Sequence, residues 1–314
     1  MLNTQTKQIN ETSLTSPVRF LPKLYYLFVT MRPLQWIKNA FVLIPLIFAS
    51  KAFHYPSVIQ SLQAVVIFSL LASATYIIND LCDLKADRYH PKKKNRPLAA
   101  GLVSPQSAKL LAAVLLPASF IWGYGFGANF LLIIFCYFVL QLFYNYRLKE
   151  IVILDVFCIS AGYFLRVIAG AVIIKARISH WLIICSILLS MFLALAKRRH
   201  ELMFMGQLEA GNHRKILGDY NLRFLDQMIG MTTAGLLLSY MLYSVSSETI
   251  EKFKTDHLIY TFPFVLYGIF RYLYLIHKKN SGSEPEMTLV TDLPSLFNLL
   301  LWAFFCIMII YGVL

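Results

Sequence analysis

Nine long apolar runs, separated by shorter charged segments, constrain this chain more than any other feature of its 314 residues. They cover roughly 34–53, 63–78, 110–126, 130–146, 151–174, 181–196, 224–245, 258–276 and 295–314. Runs of this length approach the hydrocarbon thickness of a bilayer, which about 20 apolar residues cross as one helix. A membrane admits only helices or closed barrels, because each backbone N–H and C=O must find its partner inside the protein. The runs lack the alternation of barrel strands, so the expected fold is all-α, a polytopic membrane protein with nine transmembrane helices. A 58% hydrophobic composition leaves too little polar surface for a water-facing domain. The expected organisation is a polar, interfacial segment over residues 1–30 and one transmembrane helical domain over 31–314. No apolar core with a small-residue cleavage site marks the first twenty residues as a signal peptide.

A formal charge of +13 raises the question of nucleic acid, but the Lys and Arg residues lie between apolar runs and not in one domain. They are therefore read as topology signals and as sites for anionic ligands, with no nucleic-acid partner. With the N-terminus on the cytoplasmic side, 22 of them fall in cytoplasmic segments and five, Lys51, Lys175, Arg177, Lys252 and Lys254, fall opposite. That imbalance orients the chain in a plasma membrane with the ends of runs two, four and six facing the cytoplasm. The five cysteines show no C-x-x-C spacing and are expected as reduced thiols.

The chemistry concentrates in Tyr76–Gly101, YIINDLCDLKADRYHPKKKNRPLAAG. Asn79, Asp83 and Asp87 are four residues apart, a spacing that gathers side chains on one helical face. Lys92, Lys93, Lys94 and Arg96 follow. Oxygen ligands for a hard divalent cation thus sit beside cations suited to phosphate, the setting in which Mg2+ is held by one or two carboxylates plus substrate phosphates. The plainer alternative is a solvated helix end whose basic run only sets topology. Elsewhere, Lys38 lies in RPLQWIKN at the start of the first run, and Lys149 lies in YNYRLKEIVILD between runs four and five. Arg166 stands inside run five, where a charge is costly and usually faces a cavity. Arg198 belongs to AKRRHEL at the end of run six.

NDLCDLKADRYHPKKKNRP resembles the first aspartate-rich motif of the UbiA-type intramembrane prenyltransferase superfamily, in its phosphoribosyl branch. RPLQWIKN, YNYRLKEIVILD, SAGYFLRVIAGA and AKRRHEL are similar to that branch in wording and order, so the resemblance spans about Arg32 to Tyr220. It implies nine helices around a central cavity that opens to the cytoplasm, with Mg2+ at Asn79, Asp83 and Asp87. It further implies transfer of 5-phosphoribosyl from 5-phosphoribosyl diphosphate (PRPP) to a polyprenyl phosphate, releasing diphosphate. The product of that step is a precursor of arabinose-type donors for envelope glycans. Under this resemblance Asp83, Asp87 and Lys149 are the expected catalytic residues, and Lys38, Lys92, Lys94, Arg96, Arg166 and Arg198 the expected phosphate ligands.

Two other readings remain at this level. Aromatic prenyltransferases of the superfamily carry a second D-x-x-x-D motif, whereas here the only such spacing is Asp83 to Asp87. Prenyl transfer from a prenyl diphosphate to an aromatic acceptor is the alternative enzyme. A transporter would need paired helix breaks at mid-membrane depth. Pro45, Pro117 and Pro263 interrupt runs, but the charged motifs lie at run ends.

Overall fold

The structure, a computed structural model, describes residues 20–89, 93–177, 179–205, 219–278 and 285–313. Among these the fold is wholly helical. A first helix, α1 (Phe20–Thr30), leads to a 3₁₀ segment, Pro33–Leu43, and the short α2 (Ile44–Phe48). Next come α3 (Tyr55–Cys82), α4 (Leu84–Tyr89), α5 (Pro105–Tyr124), α6 (Ala128–Tyr146), α7 (Leu154–Ile173) and α8 (His180–Met205). The chain closes with α9 (Leu222–Val245), α10 (Ser247–Phe253), α11 (Phe262–Lys278), α12 (Pro285–Thr291) and α13 (Leu293–Ile310). Eight of the described helices are long and apolar enough to cross a membrane. The first expected span is instead the shorter apolar stretch Pro33–Phe48. Of the expected 1–30 segment, residues 1–19 lie outside the described residues, and the rest is mostly α1.

The departure at the first run has a local cause. Arg32 precedes Pro33, whose ring disfavours the right-handed helical region for its predecessor. Arg32 adopts φ 58°, ψ 59°, which stops α1 and turns the chain. The next eleven residues form a 3₁₀ helix, far longer than the three or four residues usual for that geometry. Three residues per turn stack side chains at every third position, and two rows matter. Trp36, Asn39 and Val42 face the bundle, where Trp36 donates to Ser73 Oγ (3.0 Å) and Asn39 donates to Ser69 Oγ (2.9 Å). Ser69 and Ser73 return their own protons to the carbonyls of Val65 and Ser69 in α3. Their oxygens are therefore free to accept across the interface, a use of small polar residues common between membrane helices. Arg32, Gln35 and Lys38 form the other row.

Helix α7 packs against this segment at Gly170. A Cβ there would lie 2.0 Å from the Val42 carbonyl oxygen, so no other residue permits the approach. Around these elements, α3 packs on α5 and α6, α7 on α6 and α8, α8 on α9, and α11 on α9 and α13, with α13 returning to α2. Buried Ile67, Phe68, Leu71, Phe130, Ile134 and Ala169 form one core cluster. Phe192, Leu193, Leu225, Ile229, Tyr272 and Ile276 are central to a second.

Candidate active site

Helix ends build the site. α3, α6 and α8 finish, and α7 and α9 begin, at one end of the bundle, and the acidic motif closes α3. Regular α-helix stops at Cys82, yet Asp83 N–H donates to Asn79 O and Asp87 N–H to Asp83 O, both at 2.9 Å. The four-residue register of Asn79, Asp83 and Asp87 therefore survives the break. Asp87 is buried and accepts from Arg96, and its other oxygen lies 3.7 Å from Lys93 Nζ. Asp83 is partly exposed, with Oδ2 3.5 Å from Lys149 Nζ. Two segments distant in sequence thus meet at this point. Among the described residues no three His, Cys, Asp or Glu side chains gather into one metal-ligating cluster.

Beside the motif lies a cavity of about 260 Å3. Arg32, Lys38, Arg96, Arg166 and Lys197 line it together with Gln35, Tyr76, Gln141, Tyr144 and Tyr163, and among the described residues no carboxylate is in that lining. The row Arg32, Gln35, Lys38 belongs to it because the 3₁₀ period puts all three on one side. Buried Asp80 anchors two of the cations: Arg32 bonds to Oδ1, and Arg96 Nη1 reaches the same oxygen at 2.9 Å. Arg96 therefore ties Asp80 to Asp87 and sets the cavity against the acidic motif.

Arg166 is the deepest of these cations. Only 4% of its surface is exposed, and it donates to Asn39 Oδ1 (2.8 Å), Gly162 O (2.7 Å) and Tyr137 OH (2.8 Å). The Tyr137 ring lies 4.7 Å from its guanidinium carbon. Every partner is neutral, so among the described residues a full positive charge is buried with no carboxylate to balance it. Such a charge is expensive in a membrane interior unless an anion visits it.

Arg198, expected as a phosphate ligand, differs in that its donors meet partners inside the protein. Helix α8 runs on past the sixth apolar run, placing Arg198 inside it and fully buried. Nε bonds to Asp155 Oδ2, Nη1 to Glu201 Oε2, and Nη2 to Tyr144 OH at 2.9 Å. Its donors bracket α6, α7 and α8. Tyr220 OH completes the bracket by donating to Asp155 Oδ1 (2.7 Å) while accepting from Ile153 N–H (2.7 Å). Burial pushes the Tyr220 phenol above its ordinary range, so this hydroxyl stays protonated.

Of the other expected residues, Lys94 is exposed on the 3₁₀ turn Lys93–Asn95, away from the cavity lining. Lys92 lies outside the described residues. Arg32, Gln35, Asp80 and Tyr144 have no site role in the sequence reading. The threefold spacing of Arg32, Gln35 and Lys38 is a signal only for a reader who assumes 3₁₀ geometry.

A second cavity, about 220 Å3 and almost wholly apolar, lies among α2, α8, α9, α11 and α13, lined by Ile44, Phe48, Leu189, Leu193, Tyr240 and Trp302 among others. Both cavities share α8, which gives Lys197 to one and Leu193 to the other, while the 3₁₀ segment gives Lys38 to the first and the contiguous α2 gives Ile44 to the second. Four residues of helix separate Lys197 from Leu193, about 6 Å along the axis.

An all-helical membrane bundle with an acidic helix end beside a cationic cavity defines the class, and the chain belongs to the UbiA prenyltransferase family, whose model matches residues 40–291. Within that family it is 31% identical over 270 residues to a decaprenyl-phosphate phosphoribosyltransferase of Mycolicibacterium smegmatis, covering 82% of this chain and 84% of that one. A protein of the same name from Corynebacterium glutamicum is 31% identical over 291 residues, 90% of this chain and 85% of the other. This chain is accordingly a transferase. Its fold matches that of a UbiA homolog from Archaeoglobus fulgidus bound to GPP and Mg2+, with a TM-score of 0.66 at 18% identity, over 92% of this chain and 99% of that one.

Proposed function

We propose that this protein transfers the 5-phosphoribosyl group of PRPP to a polyprenyl phosphate and releases diphosphate. One observation carries the reading: a cavity lined by five cations, with no carboxylate among its described lining residues, shares helix α8 with an apolar cavity whose lining lies one helical turn away. That pairing suits an amphiphile with an anionic head and a long hydrocarbon tail. The names of the mycobacterial and corynebacterial relatives support the same choice.

In this reaction the bond from ribose C1 to the diphosphate oxygen breaks and a bond from C1 to an oxygen of the lipid phosphate forms. The acceptor is already an anion, so no residue need remove a proton from it. Barrier lowering lies in holding negative charge as the diphosphate departs. Asn79, Asp83 and Asp87 fit a hard cation, since they offer oxygen donors on successive turns and Mg2+ seldom needs a full protein cage. Bound there, Mg2+ would supply charge neutralisation for the leaving diphosphate. Lys149, beside Asp83, and Arg96, beside Asp87, are assigned to the donor's phosphates, with exposed Lys94 on the approach, and Lys92 is assigned to the same phosphates from the motif alone. Lys38 and Arg166 are assigned to phosphate deeper in the cavity. Arg198 is assigned to holding the helices that carry them.

The charge imbalance of the loops supports a cytoplasmic position for this end in the plasma membrane, where a soluble phosphorylated donor is available. A thiol at Lys94→Cys, in a Cys82→Ser background, is then shielded from an impermeant reagent in intact cells. Ready labelling reverses the orientation.

Ligand-dependent melting tests the function directly. PRPP with Mg2+ should raise Tm in detergent, and chelation should remove the gain, because a ligand bound only by the folded state stabilises it. A gain from a prenyl diphosphate, with none from PRPP, would favour the aromatic prenyltransferase reading.

A further inference from the structure

The turn between α6 and α7 contains a residue in a backbone conformation that its side chain opposes. Ile153 has φ 70°, ψ −46°, near the strained γ-turn geometry, and a β-branched residue at positive φ is a genuine outlier. It sits at the N-cap of α7, where its side chain offers no cap bond. An outlier of this kind persists only where surrounding contacts hold it. The contact here is the Tyr220 hydroxyl, which takes the Ile153 N–H and is itself fixed by Asp155. Four residues before Ile153, on the same turn, Lys149 reaches to within 3.5 Å of Asp83.

We infer that Tyr220 is a positioning residue: its hydroxyl holds the strained turn at Ile153, and the turn in that form carries Lys149 to the acidic motif. Tyr220 does not line the cationic cavity, so its effect reaches the site through the backbone. Its ring stacks on Phe224, with centroids 6.3 Å apart, so Tyr220→Phe removes the hydroxyl and keeps the packing. The inference rests on the phosphoribosyl-transfer reading for its activity measurement, and a second measurement is independent of that reading.

The experiment compares wild type, Tyr220→Phe, Ile153→Gly and the double variant. Hydrogen exchange followed by mass spectrometry reads the segment holding the Ile153 amide, and it should exchange faster in Tyr220→Phe while amides in the interior of α7 keep their protection. With PRPP and polyprenyl phosphate, kcat/KM of Tyr220→Phe should fall by about tenfold to a hundredfold, the scale of a small misplacement of a reacting group. Glycine adopts positive φ without penalty, so the double variant should return to within about threefold of wild type. Unchanged exchange in Tyr220→Phe overturns the inference, as does a loss of activity that Ile153→Gly leaves unrepaired. Should wild type itself not use PRPP, the function reading fails and the exchange result alone decides the latch.

Discussion

Two buried arginines, about one helix apart in the chain, stand in opposite surroundings. Arg198 is enclosed by Asp155 and Glu201, and its charge is matched within the protein. Arg166 is enclosed by an amide, a carbonyl and a phenol, and its charge is not. A charge matched by its own fold holds helices together. A buried charge left among neutral donors and acceptors is costly unless an anion reaches it, and the cavity around Arg166 is lined as well by Arg32 and Arg96, both held by Asp80, and by Lys38 and Lys197.

The largest effect belongs to the acidic border of the cavity. Asp83→Asn and Asp87→Asn keep shape and remove charge, and each should lower magnesium-dependent turnover by about a thousandfold or more, as expected for loss of a metal ligand at the leaving group. Turnover near wild type in both would return the motif to a plain helix end.

Arginine-to-methionine exchanges test the contrast itself. Arg166→Met should lower kcat/KM by about a hundredfold, some 2.7 kcal/mol of transition-state stabilisation, while Tm holds or rises because an unbalanced buried charge is gone. Arg198→Met should do the reverse, since stranding the buried carboxylate of Asp155 costs about 3–5 kcal/mol of stability. Equal losses of Tm in the two would erase the distinction. Lys149→Ala comes next, with the apparent KM for one phosphate substrate raised by about tenfold, the worth of one charge-assisted contact. The smallest effect lies in the apolar cavity. Leu189→Trp takes up part of its space and should lower kcat/KM about fivefold for a long polyprenyl phosphate, about 1 kcal/mol of lost chain burial. Geranyl phosphate should be used as before, and an equal loss for both acceptors would detach this cavity from the tail.

Much of this was legible in the chain, and the limits have physical causes. Periodic apolarity revealed the helices, although α3 runs from Tyr55 to Cys82 where the apolar run suggested 63–78, because polar residues such as Ser57, Gln60 and Ser61 continue the helix. Asp83 and Asp87 stood out by spacing and Lys149 by the motif around it, and the structure sets Lys149 beside Asp83 and Arg96 beside Asp87. The row Arg32, Gln35, Lys38 did not emerge, because a long 3₁₀ segment follows a period that apolar patterning does not favour. Asp80 was adjacent to the motif, but its partner Arg32 is 48 residues away, and such pairings are tertiary. The surroundings of Arg198 were hidden for the same reason: a sequence displays a charge and not the carboxylates that will meet it.

Product formation tests the central claim most directly. Purified protein in detergent is given labelled PRPP, polyprenyl phosphate and Mg2+, with a prenyl diphosphate and 4-hydroxybenzoate offered in parallel. The account predicts a labelled, lipid-soluble phosphoribosyl product from the first pair and none from the second. Prenylated hydroxybenzoate from the second pair, with no label transferred from PRPP, would contradict it.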